Sequence, residues 1–261
     1  MPTALARHAR TILFNRVPEA TFAFWVITVL SSTTGAVMAR LLVNNALGFD
    51  ATLLVSVGLL AVALAAQFGS RRYTVGVYWP VVVLIGIIGA ELAHTPAGRF
   101  GMPPWVGVLL AGAALAGTLA LWSARERTLS VDTVFTRRRE AFYWIAALFA
   151  GALGSAAGAV VTGFFALGPL ASTVVFTALV GVVVIIRFLF QVNAAICFWV
   201  AYVLTRPLGT ALGDLVSRPA RHGGLGLGAT ATSLLVLAVI AATVTYLAVR
   251  VSRQRTMSLA A

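Results

Sequence analysis

The stretch FWVAYVLTRPLGTALGD, residues 198–214, contains the pattern around which this chain is organised. Its Phe-Trp pair is followed by Gly209, ten residues after the tryptophan, and by Asp214, five residues after the glycine. The same spacing occurs in three other places, and the last position of each copy is termed the marked site. The copies are Phe24-Trp25…Gly35…Arg40, Tyr78-Trp79…Gly89…His94, Tyr143-Trp144…Gly154…Ala159 and Phe198-Trp199…Gly209…Asp214.

Each copy lies in an apolar run that is long enough to cross a bilayer. The chain has 261 residues, of which 60% are hydrophobic and only 10% charged, whereas about a quarter of a soluble domain is charged. A span needs about 20 apolar residues, so the chain has room for eight spans and for no sizeable soluble domain. The runs are about twice as long as the strands of a membrane barrel and do not alternate, which disfavours strands. The predicted spans are 17–42, 51–68, 75–94, 103–122, 141–165, 169–190, 192–215 and 229–249.

Local signals predict several helix ends. Pro18 suits the first turn of the first helix, where its missing N–H costs nothing. Asp50 is a plausible N-cap of the second helix. The stretch 95–102, which contains Pro96 and Gly98, is predicted as a polar connection between the third and fourth helices.

The two halves of the chain superpose at an offset of 119 to 120 residues, which aligns Trp25 with Trp144 and Trp79 with Trp199. Each two-helix unit contains an even number of spans, so every copy enters from the same side and the repeats are parallel. The predicted fold is an all-α polytopic bundle of eight transmembrane helices, built from two parallel tandem halves of two hairpins each. We expect the odd-numbered helices to meet near a pseudo-symmetry axis. The predicted divisions are a cytoplasmic N-terminal segment (1–16), a first four-helix repeat (17–122), a cytoplasmic linker (123–140), a second four-helix repeat (141–250) and a cytoplasmic tail (251–261).

Arginines predict the orientation. With the N-terminus inside, the cytoplasmic segments would hold thirteen arginines and the opposite connections three. Because basic residues are enriched in cytoplasmic loops, both termini are predicted to be cytoplasmic. The marked sites, about 22 Å further along each helix than the tryptophans, would then approach the outer half of the membrane.

Small and aromatic residues of the repeat have simple roles. Small residues let membrane helices approach closely, so Gly35, Gly89, Gly154 and Gly209 are predicted to be packing positions. The four tryptophans are interpreted as interfacial anchors, since this residue is enriched where membrane meets water.

Ionisable groups inside the spans are the candidate site residues, since burying one in the bilayer is costly and it tends to face the bundle interior. The candidates are Asp214, His94, Arg40, Glu91 and Arg206. Two interpretations stay open: structural ion pairs or groups at the outer edge, and a polar cavity with a function. The expected pairs are Asp214 with Arg40 or Arg206, and Glu91 with the remaining arginine. Asp214 is the strongest single candidate because it occupies a marked site.

Other kinds of chemistry find little support. The sequence contains no His-Glu-x-x-His, cysteine pair, phosphate loop or Gly-x-Ser-x-Gly motif, so we predict no catalytic residue, cofactor or metal site and no enzymatic activity. The net charge of +12 comes from arginines beside apolar spans, which favours headgroup contact over nucleic acid. The glycine-rich stretch 223–228 is read as a turn.

Three segments resemble a bacterial family of uncharacterised integral membrane proteins that is often labelled "membrane-anchored protein". They are Arg16-Val-Pro-Glu19, Arg139-Glu140-Ala-Phe-Tyr-Trp144, and Thr205-Arg206-Pro207-Leu208-Gly209…Asp214 followed by the glycine-rich stretch 223–228. The likeness covers roughly residues 14–250. It implies a carboxylate at each marked site and a glutamate directly after the first glycine. This chain keeps only Asp214, and the resemblance carries no function with it. If relatives use a ring of carboxylates to handle cations, this chain has lost or altered that ability, and Arg40 would oppose a cation directly.

Two functions are compatible with these features. The first is a transporter-like protein of the bacterial inner membrane, with a path for a small ion or solute near the axis of the odd-numbered helices. The alternative is a non-transporting scaffold or partner subunit that uses the arginine-rich linker 123–140. Both place the protein in contact with the lipid bilayer, and both leave homo-oligomerisation open.

Overall fold

The computed structural model describes residues 15–43, 48–70 and 73–260, and within these ranges the chain forms eight long α-helices and no strand. Two single turns of 3-10 helix, Val131–Thr133 and Ala220–His222, lie in connections. The long helices are α1 (Phe22–Leu41), α2 (Gly48–Gly69), α3 (Val75–Phe100), α4 (Trp105–Glu126), α5 (Arg137–Phe164), α6 (Pro169–Leu189), α7 (Ala194–Ser217) and α8 (Ala229–Ala260).

All eight helices are long and apolar enough to cross a membrane, which confirms the prediction of an all-α polytopic protein. The odd-numbered helices form the interior, because 44–61% of their apolar windows is buried against 17–22% for the even-numbered helices. The even helices instead turn large apolar side chains outward. Leu54 and Val62 on α2, for example, are 75% and 71% exposed. A membrane protein with such a surface contacts the lipid bilayer.

The four odd-numbered helices form a closed ring. Helix α1 packs against α3 and α7, and α5 also packs against α3 and α7. The even helices lie outside this ring, with α2 on α3, α4 on α5 and α3, α6 on α7, and α8 mainly on α1. The division of the chain into two equivalent halves stays a prediction.

All four ring helices run in the same direction. Their first turns meet in a cluster of aromatic rings, which we name the aromatic end. Ring contacts cross each of the four interfaces of the ring: Phe24–Trp79 at 5.9 Å, Tyr78–Trp144 at 5.1 Å, Tyr143–Trp199 at 6.0 Å and Trp25–Phe198 at 5.3 Å between centroids. Their later residues meet around a cavity at the opposite end, which we name the cavity end.

The interpretation of the tryptophans as interfacial anchors is wrong for three of the four. Trp79, Trp144 and Trp199 are only 1–4% exposed. Aromatic side chains bury a large area and pack well edge to face, so the converging helix starts place them in the core of the ring. Trp25 is partly buried.

A buried ion pair fastens the segment before α1 to the aromatic end. The Arg16 Nη1 atom lies 2.7 Å from Glu140 Oε2 at the start of α5, and the Glu140 side chain is fully buried. The Gln67 amide at the end of α2 donates to the other Glu140 oxygen at 2.8 Å. The Arg16 backbone N–H donates to the carbonyl oxygen of Val134. These contacts join the segment before α1, α2, the central linker and α5 at one place.

Three predicted helix ends need correction. Helix α1 begins at Phe22, with Thr21 as the N-cap, so Pro18 lies before the helix and not in its first turn. Helix α2 begins at Gly48, which has a φ of 73°, so Asp50 lies in the first turn and is not the N-cap. A carboxylate in the first turn also complements the positive end of the helix dipole, so an aspartate near a helix start does not by itself identify the N-cap.

The third correction concerns α3, which continues through most of the predicted connection and ends at Phe100. Its terminator is Gly101, whose φ of 60° is in the left-handed region that favours glycine. The Gly101 backbone N–H donates to the Pro96 carbonyl oxygen. Pro96 is thus accommodated inside the last turns of the helix. The longer helix carries Arg99 to a 2.6 Å ion pair with Asp50 at the start of α2.

Candidate functional site

The four marked sites line one cavity of about 480 Å³ at the cavity end of the ring. Arg40, His94, Ala159 and Asp214 each come from a different odd-numbered helix. The residues directly after the four repeat glycines also line this cavity, and they are Ala36, Ala90, Ser155 and Thr210. The fixed spacing of the repeat therefore brings equivalent positions of four distant segments to one place.

The repeat glycines lie where neighbouring ring helices come closest. A Cβ atom built on Gly35 would lie 2.9 Å from the backbone carbon of Gly86 on α3. A Cβ on Gly154 would lie 2.2 Å from a carbonyl oxygen of α7, and one on Gly209 would lie 2.8 Å from a carbonyl oxygen of α1. Gly89 faces α5 with an equivalent distance of 3.2 Å to Ala152 N. Each glycine thus contacts the next helix around the ring, and backbones approach where side chains are absent.

Asp214 holds two arginines at the mouth of the cavity. It forms an ion pair with Arg40 across the α1–α7 interface and a second pair, at 2.7 Å, with Arg218 one turn further along α7. The Arg40 and Arg218 side chains are 39% and 47% exposed, whereas Asp214 is 14% exposed. The expected pairing of Asp214 with Arg40 is therefore present. Because the carboxylate compensates its charge, Arg40 is not an unopposed cation in the cavity.

Arg218 belongs to this site although sequence reasoning placed it in a connection outside the membrane. Helix α7 extends to Ser217, two residues past the predicted span, and carries the Arg218 side chain back to Asp214 with an i,i+4 spacing. That spacing was a signal available in the sequence, because residues four apart on a helix are neighbours.

Glu91 lines the cavity but its expected arginine partner is absent. The residue is 3% exposed, and neither carboxylate oxygen has a hydrogen-bond partner among the residues that the structure describes. Arg206, the arginine left for it by the Asp214–Arg40 pair, contacts α3 at Gly86 instead. Gly86 lies five residues before Glu91, about 7.5 Å along the helix axis. The two charges are therefore at different depths in the bundle.

Arg206 lies inside the ring, between the cavity and the aromatic end. Its residue is 2% exposed, and its three guanidinium nitrogens have no hydrogen-bond acceptor among the described residues. The guanidinium fits against two glycine faces: a Cβ on Gly86 would lie 2.7 Å from Nη1, and one on Gly151 would lie 3.2 Å from Nε. Its carbon also lies 5.8 Å from the centre of the Tyr202 ring, within range of a cation–π contact.

The sequence contained a signal for this position of Arg206. The residue stands three positions before Gly209, and the equivalent positions of the other copies are Ser32, Gly86 and Gly151. A serine and two glycines at the equivalent positions thus leave room inside the ring for the Arg206 side chain. This position is not part of the pattern of aromatic pair, glycine and marked site, and that pattern alone does not predict where Arg206 lies.

Tyrosines close the axis beyond Arg206. Tyr78, Tyr143 and Tyr202 are fully buried, and the hydroxyl oxygens of Tyr78 and Tyr143 lie 2.5 Å apart. The rings of the aromatic end pack around these tyrosines, and together they close the cavity on that side. The arrangement is a pocket that is open at one end of the bundle and sealed at the other.

The remaining wall of the cavity is largely apolar. Phe49 at the start of α2 and Phe176 on α6 lie in this wall, with Val43 and Leu167 near the mouth. Such a wall, with a few polar groups converging on it, is typical of small-molecule sites. Among the residues that the structure describes, no group of three or more His, Cys, Asp or Glu side chains is placed to hold a metal ion.

Comparison with known proteins gives one partial match. A family described as "Repeat of Unknown Function (DUF347)" matches residues 197–252. The matched segment runs from α7 into α8, which is one two-helix unit and includes Gly209, Arg206 and Asp214. No curated protein and no solved structure matches the chain. The chain is thus a multi-pass helical membrane protein that contains a segment similar to an uncharacterised repeat.

Proposed function

We propose that the protein is a transporter-like protein of the bacterial inner membrane, with a path for a small ion or solute along the axis of the odd-numbered helices. One observation carries this proposal. The marked sites of four separate helices converge on a single cavity that is open at one end of the bundle and closed at the other.

A cavity with one opening is the form that alternating access requires in one of its two states. Passage to the other side would need Arg206 and the tyrosines beyond it to move apart. The contacts at Gly35 and Gly89 are with the backbone of a neighbouring helix face rather than with interlocked side chains. Such faces allow neighbouring helices to slide or rock with little repacking.

The arginine distribution supports an orientation with both termini in the cytoplasm and the cavity facing the outer side. Thirteen arginines would lie on the cytoplasmic side against three on the other. In this orientation the state described is open outward, and the buried Arg16–Glu140 pair strengthens the closed cytoplasmic end.

The scaffold alternative rests on the arginine-rich stretch 123–140, which includes the end of α4 and the start of α5. Arg125 and Arg137 are exposed there and available to a partner or to headgroups, whereas Arg138 and Arg139 are paired with Glu126. A scaffold has no need of a polar cavity between its ring helices, so the cavity favours the transporter proposal.

A flux assay with a filled cavity tests the proposal. The protein would be reconstituted in liposomes and screened with labelled ions, amines and small metabolites. We expect at least one solute to cross faster than in protein-free liposomes, and Ala159→Trp to reduce that flux about tenfold or more, since the new ring occupies the cavity. Leu54→Trp is the matched control, because that side chain faces outward on α2, and its flux should stay at the wild-type level.

Two results would count against transport. One is a broad panel in which every solute crosses at the protein-free rate. The other is a flux that Ala159→Trp and Leu54→Trp affect equally.

A further inference from the structure

The charged groups that line the cavity differ in whether they have a partner of opposite charge. At the mouth, Asp214 compensates Arg40 and Arg218, and the two arginine side chains are 39% and 47% exposed, so solvent screens what remains. Glu91 lies deeper in the wall and is only 3% exposed. Neither of its carboxylate oxygens has a hydrogen-bond donor among the described residues. A carboxylate in this position is costly unless a donor or a positive charge joins it.

The surroundings of Glu91 indicate the kind of group that would join it. A metal ion is poorly served, because the described residues do not bring three ligating side chains together. An ammonium group needs only one carboxylate and offers up to three N–H donors to its oxygens. His94, three residues further along α3, and Ser155 on α5 also line the cavity and can orient such a group.

The rest of the cavity fits an apolar body rather than a hydrated ion. Its volume of about 480 Å³ is far larger than an ammonium group alone, and it lies within the usual range of small-molecule pockets. Phe49 and Phe176 provide aromatic surface, and Val43 and Leu167 provide aliphatic surface. The Arg99 guanidinium already lies over the Phe49 ring, 5.6 Å from its centre, so these rings supply the cavity with apolar surface rather than with a second cation site.

We propose that the cavity binds small organic cations, with an ammonium head at Glu91 and an apolar body against Phe49 and Phe176. That such cations are the transported substrates rests on the proposed function. The binding site itself does not depend on transport. Arg206 lies outside the cavity wall and closes the path beneath the head group. Arg206 lies at the depth of Gly86, about 7.5 Å along the helix axis from Glu91 toward the aromatic end.

The test is a binding measurement on the full chain in lipid nanodiscs. Isothermal titration calorimetry would use 2-phenylethylammonium as the probe and phenylacetate as an anion of matched size, with protein-free nanodiscs as the blank. We expect saturable binding of the ammonium probe only. Glu91→Gln should weaken it by about tenfold or more, the loss expected when a charged hydrogen-bond partner is removed.

Two further variants keep the result interpretable. Glu126→Gln makes the same chemical change at a carboxylate outside the cavity, so it should leave the affinity unchanged. Ala159→Trp keeps Glu91 but fills the cavity, so it should abolish binding even if Glu91→Gln fails to fold. Circular dichroism and gel filtration of each variant would verify the fold.

The outcomes separate the two proposals. Unchanged affinity in Glu91→Gln, tighter binding of phenylacetate, binding that survives Ala159→Trp, or no binding above the protein-free blank would overturn the organic-cation site. If instead another solute crosses liposomes through a path that Ala159→Trp blocks, transport stands while this site fails. If the ammonium probe binds as described but no solute crosses, the site stands while transport fails.

Discussion

The substitution Gly154→Ala tests the close packing of the ring helices. A Cβ at this position would lie 2.2 Å from the Val203 carbonyl oxygen and 2.8 Å from the Arg206 Cβ atom. Real Cβ atoms essentially never approach closer than 3.0 Å, so α5 and α7 must separate by at least the difference between 2.2 and 3.0 Å. Backbone cannot yield as a flexible side chain does. Overpacking of this kind costs about 1–3 kcal/mol and occasionally more.

The matched control is Gly117→Ala in the middle of α4, where a Cβ would meet no atom within 4 Å. Alanine is the better helix former, by about 1 kcal/mol, so this substitution should be neutral to slightly stabilising. Because Gly154 also lies inside a helix, the propensity gain applies to both variants and cancels. The overpacking alone is therefore expected to separate the two variants by about 1–3 kcal/mol. Unfolding of the purified protein in mixed micelles with increasing SDS, followed by tryptophan fluorescence, would measure the difference.

The reasoning fails if Gly154→Ala is as stable as Gly117→Ala. That outcome would mean that α5 and α7 do not meet at this glycine, and the convergence of the marked sites would lose its support. A loss of stability in both variants would indicate instead that micelles penalise any change of glycine.

Other predictions concern the buried charges. Glu140→Ala should lower the unfolding free energy by about 3–5 kcal/mol, because it leaves Arg16 unpaired at a fully buried site. Asp50→Ala, which breaks the exposed pair with Arg99, should change it by no more than about 1 kcal/mol in the same assay; equal losses would refute this ranking. Arg206→Met should raise the unfolding free energy by about 1–4 kcal/mol, since an apolar side chain of similar volume replaces a buried cation whose nitrogens have no hydrogen-bond acceptor among the described residues. A loss of stability in Arg206→Met would show that the guanidinium has a partner that stabilises it.

The eight helices and the convergence of four of them were predictable because membrane spans depend on simple properties. Length and hydropathy alone define the spans, and a fixed distance from Trp25 to Gly35 to Arg40, repeated in three other helices, places equivalent residues at equal depth. The shared cavity of Arg40, His94 and Asp214 follows from that regularity.

The details that were missed depend on neighbours that a single segment does not reveal. Trp79 has the composition and position of an interfacial anchor, yet its burial is decided by three other helices that start at the same level. The partner of Glu91 could not be read from charge alone, since Arg206 fits into the space left by Gly86 and Gly151. The end of α3 was misplaced because Pro96 is tolerated in its last turns and Gly101 ends the helix.

The most direct test of the central claim is the accessibility of a thiol at a marked site. Cys197 would first be replaced by serine, and Ala159→Cys would be introduced in that background, with Ala146→Cys at the fully buried aromatic end of the same helix as control. A membrane-impermeant maleimide would be applied to right-side-out and inside-out vesicles. The account predicts labelling of the Ala159→Cys thiol from the outer side only, and none of the Ala146→Cys thiol. Equal labelling of the Ala159→Cys thiol from both sides, or from neither, would contradict a cavity with one opening.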